Sequence, residues 1–148
     1  MTVLALVRHL LLPPLLAMVM ASATIAGDHN LSFQGLAIQG FDPVAYFTDG
    51  KPVLGDATIS ASFDGATYHF ASLGHKAAFE ADPARYVPQY GGYCAYAAAQ
   101  GAKAPIEPEQ FTIADGKLYL NFNADVRQRW LQDQASFSSA ADAWWISQ

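Results

Sequence analysis

Three side chains in residues 37–148 of this sequence are of the types that bind soft or borderline metal ions: Cys94, His75 and His69. A thiolate with two neutral imidazoles suits copper or zinc better than magnesium or calcium. Zinc normally takes four ligands and copper three or four, so these side chains supply the minimum, and Asp42 or Asp82 could add an oxygen. The sequence therefore predicts a copper or zinc site at Cys94, His75 and His69, if the fold brings them together.

The single cysteine has two further roles open to it. We expect Cys94 in the first turn of a helix behind Gly91 and Gly92, where the helix dipole stabilises a thiolate. A thiolate is a nucleophile as well as a ligand, so thiol or redox catalysis is one alternative. The other alternative is a small buried apolar residue, since free cysteine is among the most buried residue types.

The two histidines have structural alternatives as well. His75 falls near the start of a helix that Ser72 can cap, and a helix N-terminus disfavours the charged imidazolium. His69 lies on the polar face of a predicted hairpin, beside Ser60. The alternatives are an exposed ring of no consequence for His75 and a cross-strand hydrogen bond for His69.

Tyrosines crowd one segment of the chain and predict a second kind of site. Tyr90, Tyr93 and Tyr96 could line a cleft for a small aromatic or apolar ligand. The alternative is a core and its rim, with the hydroxyls bonded to backbone or water. Trp144 and Trp145 point about 100° apart on a helix, so one of them could mark a contact site for a partner protein.

The sequence carries no motif of known catalytic machinery. It lacks a Gly-x-Ser-x-Gly elbow, a His-Glu-x-x-His pair, a phosphate loop and a dinucleotide fingerprint. We therefore expect a binding domain and not an enzyme. Its ligand would be a metal ion or, alternatively, a small molecule or partner protein that binds a metal-free module in the tyrosine-rich cleft.

Composition predicts one folded domain and excludes nucleic acid as a partner. The 148 residues are 52% hydrophobic and 14% charged, far too apolar for a disordered chain. The net charge is −5, whereas phosphate binding needs a basic patch.

Residues 1–26 have the composition of a signal peptide. Arg8 precedes a nearly all-apolar stretch at residues 10–20, and small residues follow at 21–26. Cleavage could follow Ala23 or Ala26. An uncleaved anchor is the alternative, although the apolar stretch is short for a span of about 20 residues. We predict a periplasmic or secreted protein, with no membrane segment after cleavage and a flexible mature N-terminus over residues 27–36.

Asp-Gly pairs predict hairpin turns, because a type I′ turn needs positive φ at two successive residues. Asp49-Gly50 predicts a short hairpin between residues 44–47 and 52–54. For the other two turns, the polar and apolar faces separate when the strands are paired as follows. Asp64-Gly65 would place Phe63, Ser62, Ala61, Ser60 and Ile59 opposite Ala66, Thr67, Tyr68, His69 and Phe70, and Asp115-Gly116 would place Phe111, Thr112 and Ile113 opposite Leu120, Tyr119 and Leu118.

Four helices are predicted between and after the hairpins. The first follows Ser72 and ends at Ala81, and the second covers residues 93–100. The third begins after Asn123, and the fourth runs from about Gln134 to Ile146. Antiparallel hairpins without parallel crossovers predict an α+β fold, in which small hairpins pack with short helices in one domain over residues 37–148.

Several ordered motifs in residues 37–145 resemble the YHS domain family, and most closely its exported, stand-alone members. They are Gly40-Phe41-Asp42-Pro43-Val44-Ala45-Tyr46-Phe47, Tyr68-His69-Phe70-Ala71-Ser72, Phe79-Glu80-Ala81-Asp82-Pro83-Ala84-Arg85-Tyr86 and Tyr90-Gly91-Gly92-Tyr93-Cys94-Ala95. The resemblance implies a small metal-binding domain, because small family members occur beside heavy-metal transport ATPases. Where those members carry three cysteines, this sequence has Ala45, Ala71 and His75, so only His75 retains a metal donor.

Overall fold

The computed structural model describes residues 27–148. The predicted signal peptide, residues 1–26, lies outside the described part of the chain. Within residues 27–148, no helix has both the length and the apolar character needed to cross a membrane.

Short strands and short helices follow one another along the chain, which confirms the α+β fold. The strands are β1 (Leu31–Ser32), β2 (Leu36–Ala37), β3 (Asp56–Phe63), β4 (Ala66–Phe70), β5 (Glu107–Ala114) and β6 (Lys117–Asn121). The helices are α1 (Ala45–Thr48), α2 (Leu73–Ala81), α3 (Pro83–Tyr86), α4 (Ala95–Ala99), α5 (Ala124–Gln132) and α6 (Gln134–Ile146). One sheet has the order β1-β2-β4-β3, with β2 and β4 parallel, and β5 and β6 form a separate hairpin.

Two of the predicted hairpins form at the predicted turns. Asp64 and Asp115 both have φ of 50°, and the glycines that follow them are also in the left-handed region, as a type I′ turn requires. Phe63 pairs with Ala66 and Phe111 with Leu120, as the alternation of polar and apolar residues predicts. The pair Ile59–Phe70 is wrong, because a bulge shifts the register and sets Asp56 opposite Phe70.

The predicted hairpin at Asp49-Gly50 does not form. Its first arm is helix α1, because the carboxylate of Asp42 accepts hydrogen bonds from the backbone N–H groups of Val44 and Ala45 and so starts a helical turn. What remains of the pairing is a single bridge between Phe41 and Leu54.

The helix boundaries follow their caps. Ser72 accepts from the N–H of His75 at the start of α2, and Asn123 accepts from the N–H of Val126 at the start of α5. Helix α6 has the predicted bounds. Helix α4 is shorter than predicted, because Tyr93 and Cys94 have extended ψ angles and the helix begins only at Ala95.

Residues 27–36, predicted to be flexible, are held by hydrogen bonds in the structure. They contain β1 and the start of β2, which pairs in parallel with β4. The N–H of Asn30 donates to the carbonyl of Gly91 at 2.8 Å. The partners of this segment include Asp64, Thr67 and Gly92, which lie far along the chain, where a local pattern carries no information about them.

Two apolar clusters fill the interior. One lies between the four-stranded sheet, α2 and β6, and its largest side chains include Tyr46, Tyr68 and Phe79. The other surrounds Trp130, which is fully buried by Tyr119 and the helices α4 and α6. The surface between these clusters carries the cleft described below.

Candidate functional site

Cys94 belongs to the core. It is 1% exposed, and its thiol donates to the side-chain oxygen of Asn121, which is also buried, at 3.6 Å. The same oxygen accepts the backbone N–H of Tyr96, so Asn121 ties the start of α4 to β6. The structure therefore favours the third of the predicted roles for Cys94, a small buried residue.

Of the three predicted ligands, His75 has hydrogen-bond partners at both ring nitrogens. Its Nδ1 lies 2.6 Å from Oδ2 of Asp42, which is fully buried. That carboxylate also accepts backbone N–H groups from Val44 and Ala71, so it acts as an acceptor and Nδ1 carries the donated proton. The other nitrogen, Nε2, is left facing Thr48 Oγ1 at 3.3 Å and Asp49 Oδ1 at 4.0 Å.

The predicted three-ligand metal site is not assembled in the structure. Within residues 27–148, no group of three or more His, Cys, Asp or Glu side chains is arranged so that it could hold a metal ion. Cys94 faces Asn121, His75 faces Asp42, and His69 lies on β4 opposite Ser60. Residue types alone do not show whether three possible metal ligands lie close together or contact three different parts of the fold.

A cleft of about 400 Å³ lies on the surface beside Tyr90, which is of a size that suits a small ligand. Helix α6 supplies one wall from Asp142, Trp145 and Ile146, which share a face because they are three and four residues apart. The full lining is Gly27, Asp28, His29, Phe63, Asp64, Val87, Pro88, Gln89, Tyr90, Gly91, Lys117, Asp142, Trp145 and Ile146.

The three tyrosines of the predicted cleft divide between different places. Tyr90 lines the cleft, and its ring lies 6.2 Å from that of Trp145. The ring of Tyr93 also lies 6.2 Å from that of Trp145 but is absent from the lining, and its hydroxyl donates to Asp28. Tyr96 packs edge-on against Phe137 and is absent from the lining. Of the predicted ligand-binding residues, Tyr90 alone lines the cleft.

Asp142 gives the cleft its polar character. The hydroxyl of Tyr90 donates to Oδ1 of Asp142 at 2.9 Å. Burial and this hydrogen bond to Asp142 both raise the pKa of Tyr90, so its phenol stays protonated and remains a donor at neutral pH. No Lys, Arg or His side chain in residues 27–148 lies within ion-pairing distance of Asp142.

The other two carboxylates of the cleft already have basic partners. Asp64 lies 3.0 Å from Nε2 of His29, and Asp28 is paired with Lys103. The hydrogen bond from Lys103 is the main cause that holds the pKa of Asp28 below its ordinary value. Sequence analysis missed Asp142, Asp64 and His29, because no spacing in the sequence connects the N-terminal segment, a hairpin turn and the last helix.

The YHS domain family model matches residues 44–90, from the residue before α1 to the tyrosine of the cleft. Residues 44–90 therefore carry a YHS domain, as the motifs of the sequence suggest. This family is often associated with metal handling. No curated protein and no solved structure matches the chain.

Proposed function

We propose that this chain is a binding domain whose cleft at Tyr90 and Trp145 takes a small organic cation with an apolar or aromatic part. The observation that carries the proposal is the carboxylate of Asp142, which accepts the Tyr90 hydroxyl in the lining of the cleft and has no basic partner in residues 27–148. A cation there would gain a charge partner and would lie near the aromatic rings of Tyr90 and Trp145, the second of which already has Lys103 over its ring at 5.8 Å.

The balance of charge around the cleft supports a cation over an anion. Three aspartates line it, against one lysine, Lys117, and one histidine, His29. Asp28 is compensated by Lys103 and Asp64 contacts His29, so Asp142 is the carboxylate of the lining with no basic side chain of residues 27–148 within ion-pairing distance. The apolar lining from Phe63, Val87, Pro88 and Ile146 favours a ligand that carries hydrocarbon beside its charge.

Phenethylamine is a suitable probe, since it combines an ammonium group with an aromatic ring. We expect it to shift the NMR resonances of Tyr90 and Trp145 in a saturable titration. Asp142→Asn keeps the shape and the acceptor for the Tyr90 hydroxyl but removes the charge, and should weaken binding about tenfold. Asp125→Asn removes the same charge from an exposed position on α5, outside the cleft, and should leave the affinity unchanged. Equal affinity in the wild type and Asp142→Asn would contradict the proposal.

Binding of copper or zinc at His75 is a second candidate function, favoured by the hydrogen bond from Nδ1 to Asp42. Metal-binding histidines commonly donate their second ring N–H to a carboxylate in this way. Asp49 supplies the carboxylate nearest to the free nitrogen, with Oδ1 4.0 Å from Nε2. Cys94 and His69 do not fit this site, so two side chains would share the ion with water and the affinity would be low.

Metal binding is tested by adding Cu²⁺ or Zn²⁺ at micromolar concentration and measuring the melting temperature, since a ligand of the native state raises it. The rise should disappear in His75→Ala and persist in His69→Ala, which removes the same ring from β4. No rise in the wild-type protein would exclude this second candidate.

We further propose that the domain works outside the cytoplasm, in the periplasm or as a secreted protein, and that it binds its ligand without transforming it. The pattern of residues 1–26 supports export. A single cysteine that is buried in the core agrees with an oxidising compartment, where an exposed thiol would react.

A further inference from the structure

The first described residues are docked closely on the rest of the domain. The N–H of Gly27 donates to Oδ1 of Asp64 at 3.1 Å, and His29 contacts the second oxygen of the same carboxylate. Both the backbone and the side chain of Asn30 donate to the carbonyls of Gly91 and Gly92. The side chain of His29 is only 12% exposed.

Two glycines make this close approach possible. An added Cβ at Gly91 would overlap the carbonyl oxygen of Asp28, and one at Gly27 would overlap the carboxylate of Asp64. The backbone nitrogen of residue 27 therefore lies directly against a negative charge. Asp64 is also the first residue of the β3–β4 turn, so its position is fixed by a hairpin.

We infer that Gly27 is the first residue of the mature protein and that its α-ammonium group forms an ion pair with Asp64. The inference rests on the proposed export, and it selects Ala26 over Ala23 as the residue before cleavage. Hydrolysis of the Ala26–Gly27 peptide bond by a signal-cleaving protease adds the hydroxyl of water to the Ala26 carbonyl. The hydrogen of water and a proton from solvent convert the Gly27 nitrogen to an ammonium.

Cleavage at this bond strengthens a contact that is already present. In the uncut chain a neutral N–H donates to Asp64, whereas the ammonium group donates with a full charge, and charge-assisted hydrogen bonds are about twice as strong. Cleavage after Ala23 would leave three more residues ahead of Gly27 and keep the neutral contact. Processing after Ala26 therefore places a paired ammonium and carboxylate, with no net charge, in one wall of the cleft, because Gly27 and Asp64 are both part of the lining.

The first test is the intact mass of the product when the full chain is expressed in a bacterial host with a periplasm. The inference predicts a periplasmic product with the mass of residues 27–148. A product that begins at Thr24, or an uncut chain, would overturn it. This outcome does not depend on the ligand, so it is separate from the test of the cation cleft.

The second test is the pKa of the Gly27 amino group, followed through the Hα chemical shift of Gly27 in the mature protein. Other titratable groups around it are Asp28 and His29 on the same segment, and Lys117 and Asp142 across the cleft. Pairing with Asp64 should place this pKa above the ordinary range of about 7.7–8.0.

Asp64→Asn should return the amino pKa to the ordinary range. Asp115→Asn is the matched control, because Asp115 has the same φ in the equivalent turn between β5 and β6 and should leave the amino pKa unchanged. An amino pKa that is the same in the wild type and in Asp64→Asn would show that the ion pair does not form.

Discussion

Asp42, two residues before the segment that matches the YHS family, accepts four hydrogen bonds through its side chain. Its two carboxylate oxygens accept from the backbone of Val44, Ala45 and Ala71 and from the ring of His75. One buried side chain thus joins α1, the end of β4 and α2. Sequence analysis placed Asp42 in a family motif but considered it only as a source of a metal ligand, since its partners are 29 and 33 residues away.

Replacing Asp42 with alanine should destabilise the domain by about 3 kcal/mol or more, because several buried donors lose their acceptor. The free energy of unfolding from urea denaturation measures this loss. Asp49→Ala is the control, since that carboxylate is partly exposed and accepts from Thr48 alone, and it should cost less than about 1 kcal/mol. Equal losses in the two variants would show that the buried network contributes little.

The charge of Asp28 makes the docking of the N-terminal segment dependent on pH. Its pKa is lowered in the folded protein, first by the hydrogen bond from Lys103. The stability that this group contributes is therefore present above its ordinary pKa of about 3.9 and is lost as the pH falls through the lower folded value. Hydrogen exchange at the amide of Asn30 should accelerate relative to the rest of the domain below about pH 4.

Lys103→Met should raise the pKa of Asp28 towards its ordinary value, which an NMR titration of the Asp28 carboxyl group measures directly. Lys51→Met is the control, because it removes an equal charge from an exposed position without a carboxylate partner among residues 27–148. An unchanged pKa of Asp28 in Lys103→Met would contradict this account of the N-terminal segment.

Elements held together by local chemistry were predictable from the sequence. The two type I′ turns, the caps Ser72 and Asn123 and the bounds of α6 depend on residues within a few positions of one another. Elements that depend on distant partners were not predictable. The strands β1 and β2 are such elements, since β2 pairs with β4 about 30 residues further along the chain. Helix α1 is a different case, because its cap Asp42 is local but the turn signal at Asp49-Gly50 favoured a hairpin.

Gly91 is in direct contact with the N-terminal segment, so replacing it tests whether that segment docks there. Gly91→Ala should undock the N-terminal segment, because the added Cβ would overlap the carbonyl of Asp28 and φ is +59°. Gly50→Ala is the matched control, with φ of +66° and no atom near the added Cβ. Each substitution also carries a backbone penalty of about 1 kcal/mol, because alanine is strained at a positive φ.

Gly91→Ala should therefore cost at least about 1 kcal/mol more than Gly50→Ala in the free energy of unfolding. It should also accelerate hydrogen exchange at Asn30, which Gly50→Ala should not do. If the two variants behaved alike in both measurements, the N-terminal segment would not be seated on Gly91.

The molecule as a whole consists of a YHS region and a C-terminal cover that meet at the cleft. The family match ends at Tyr90, whereas Trp145 and Asp142 come from α6. The sequence predicted a tyrosine-rich cleft and, as a separate feature, a contact site for a partner protein at Trp144 or Trp145. The sequence did not predict that Tyr90, Trp145 and Asp142 line one cleft, because α6 is positioned by its packing against α4 and no local pattern specifies that packing.

The most direct test of the cation cleft compares three probes that share a phenyl ring and differ in charge: phenethylamine, 2-phenylethanol and phenylacetate. Each is titrated into the wild-type protein at neutral pH, with the dissociation constant taken from the resonances of Tyr90 and Trp145. The account predicts that phenethylamine binds about tenfold more tightly than the neutral alcohol, and that phenylacetate binds most weakly. Equal binding of all three, or tightest binding of the anion, would contradict it.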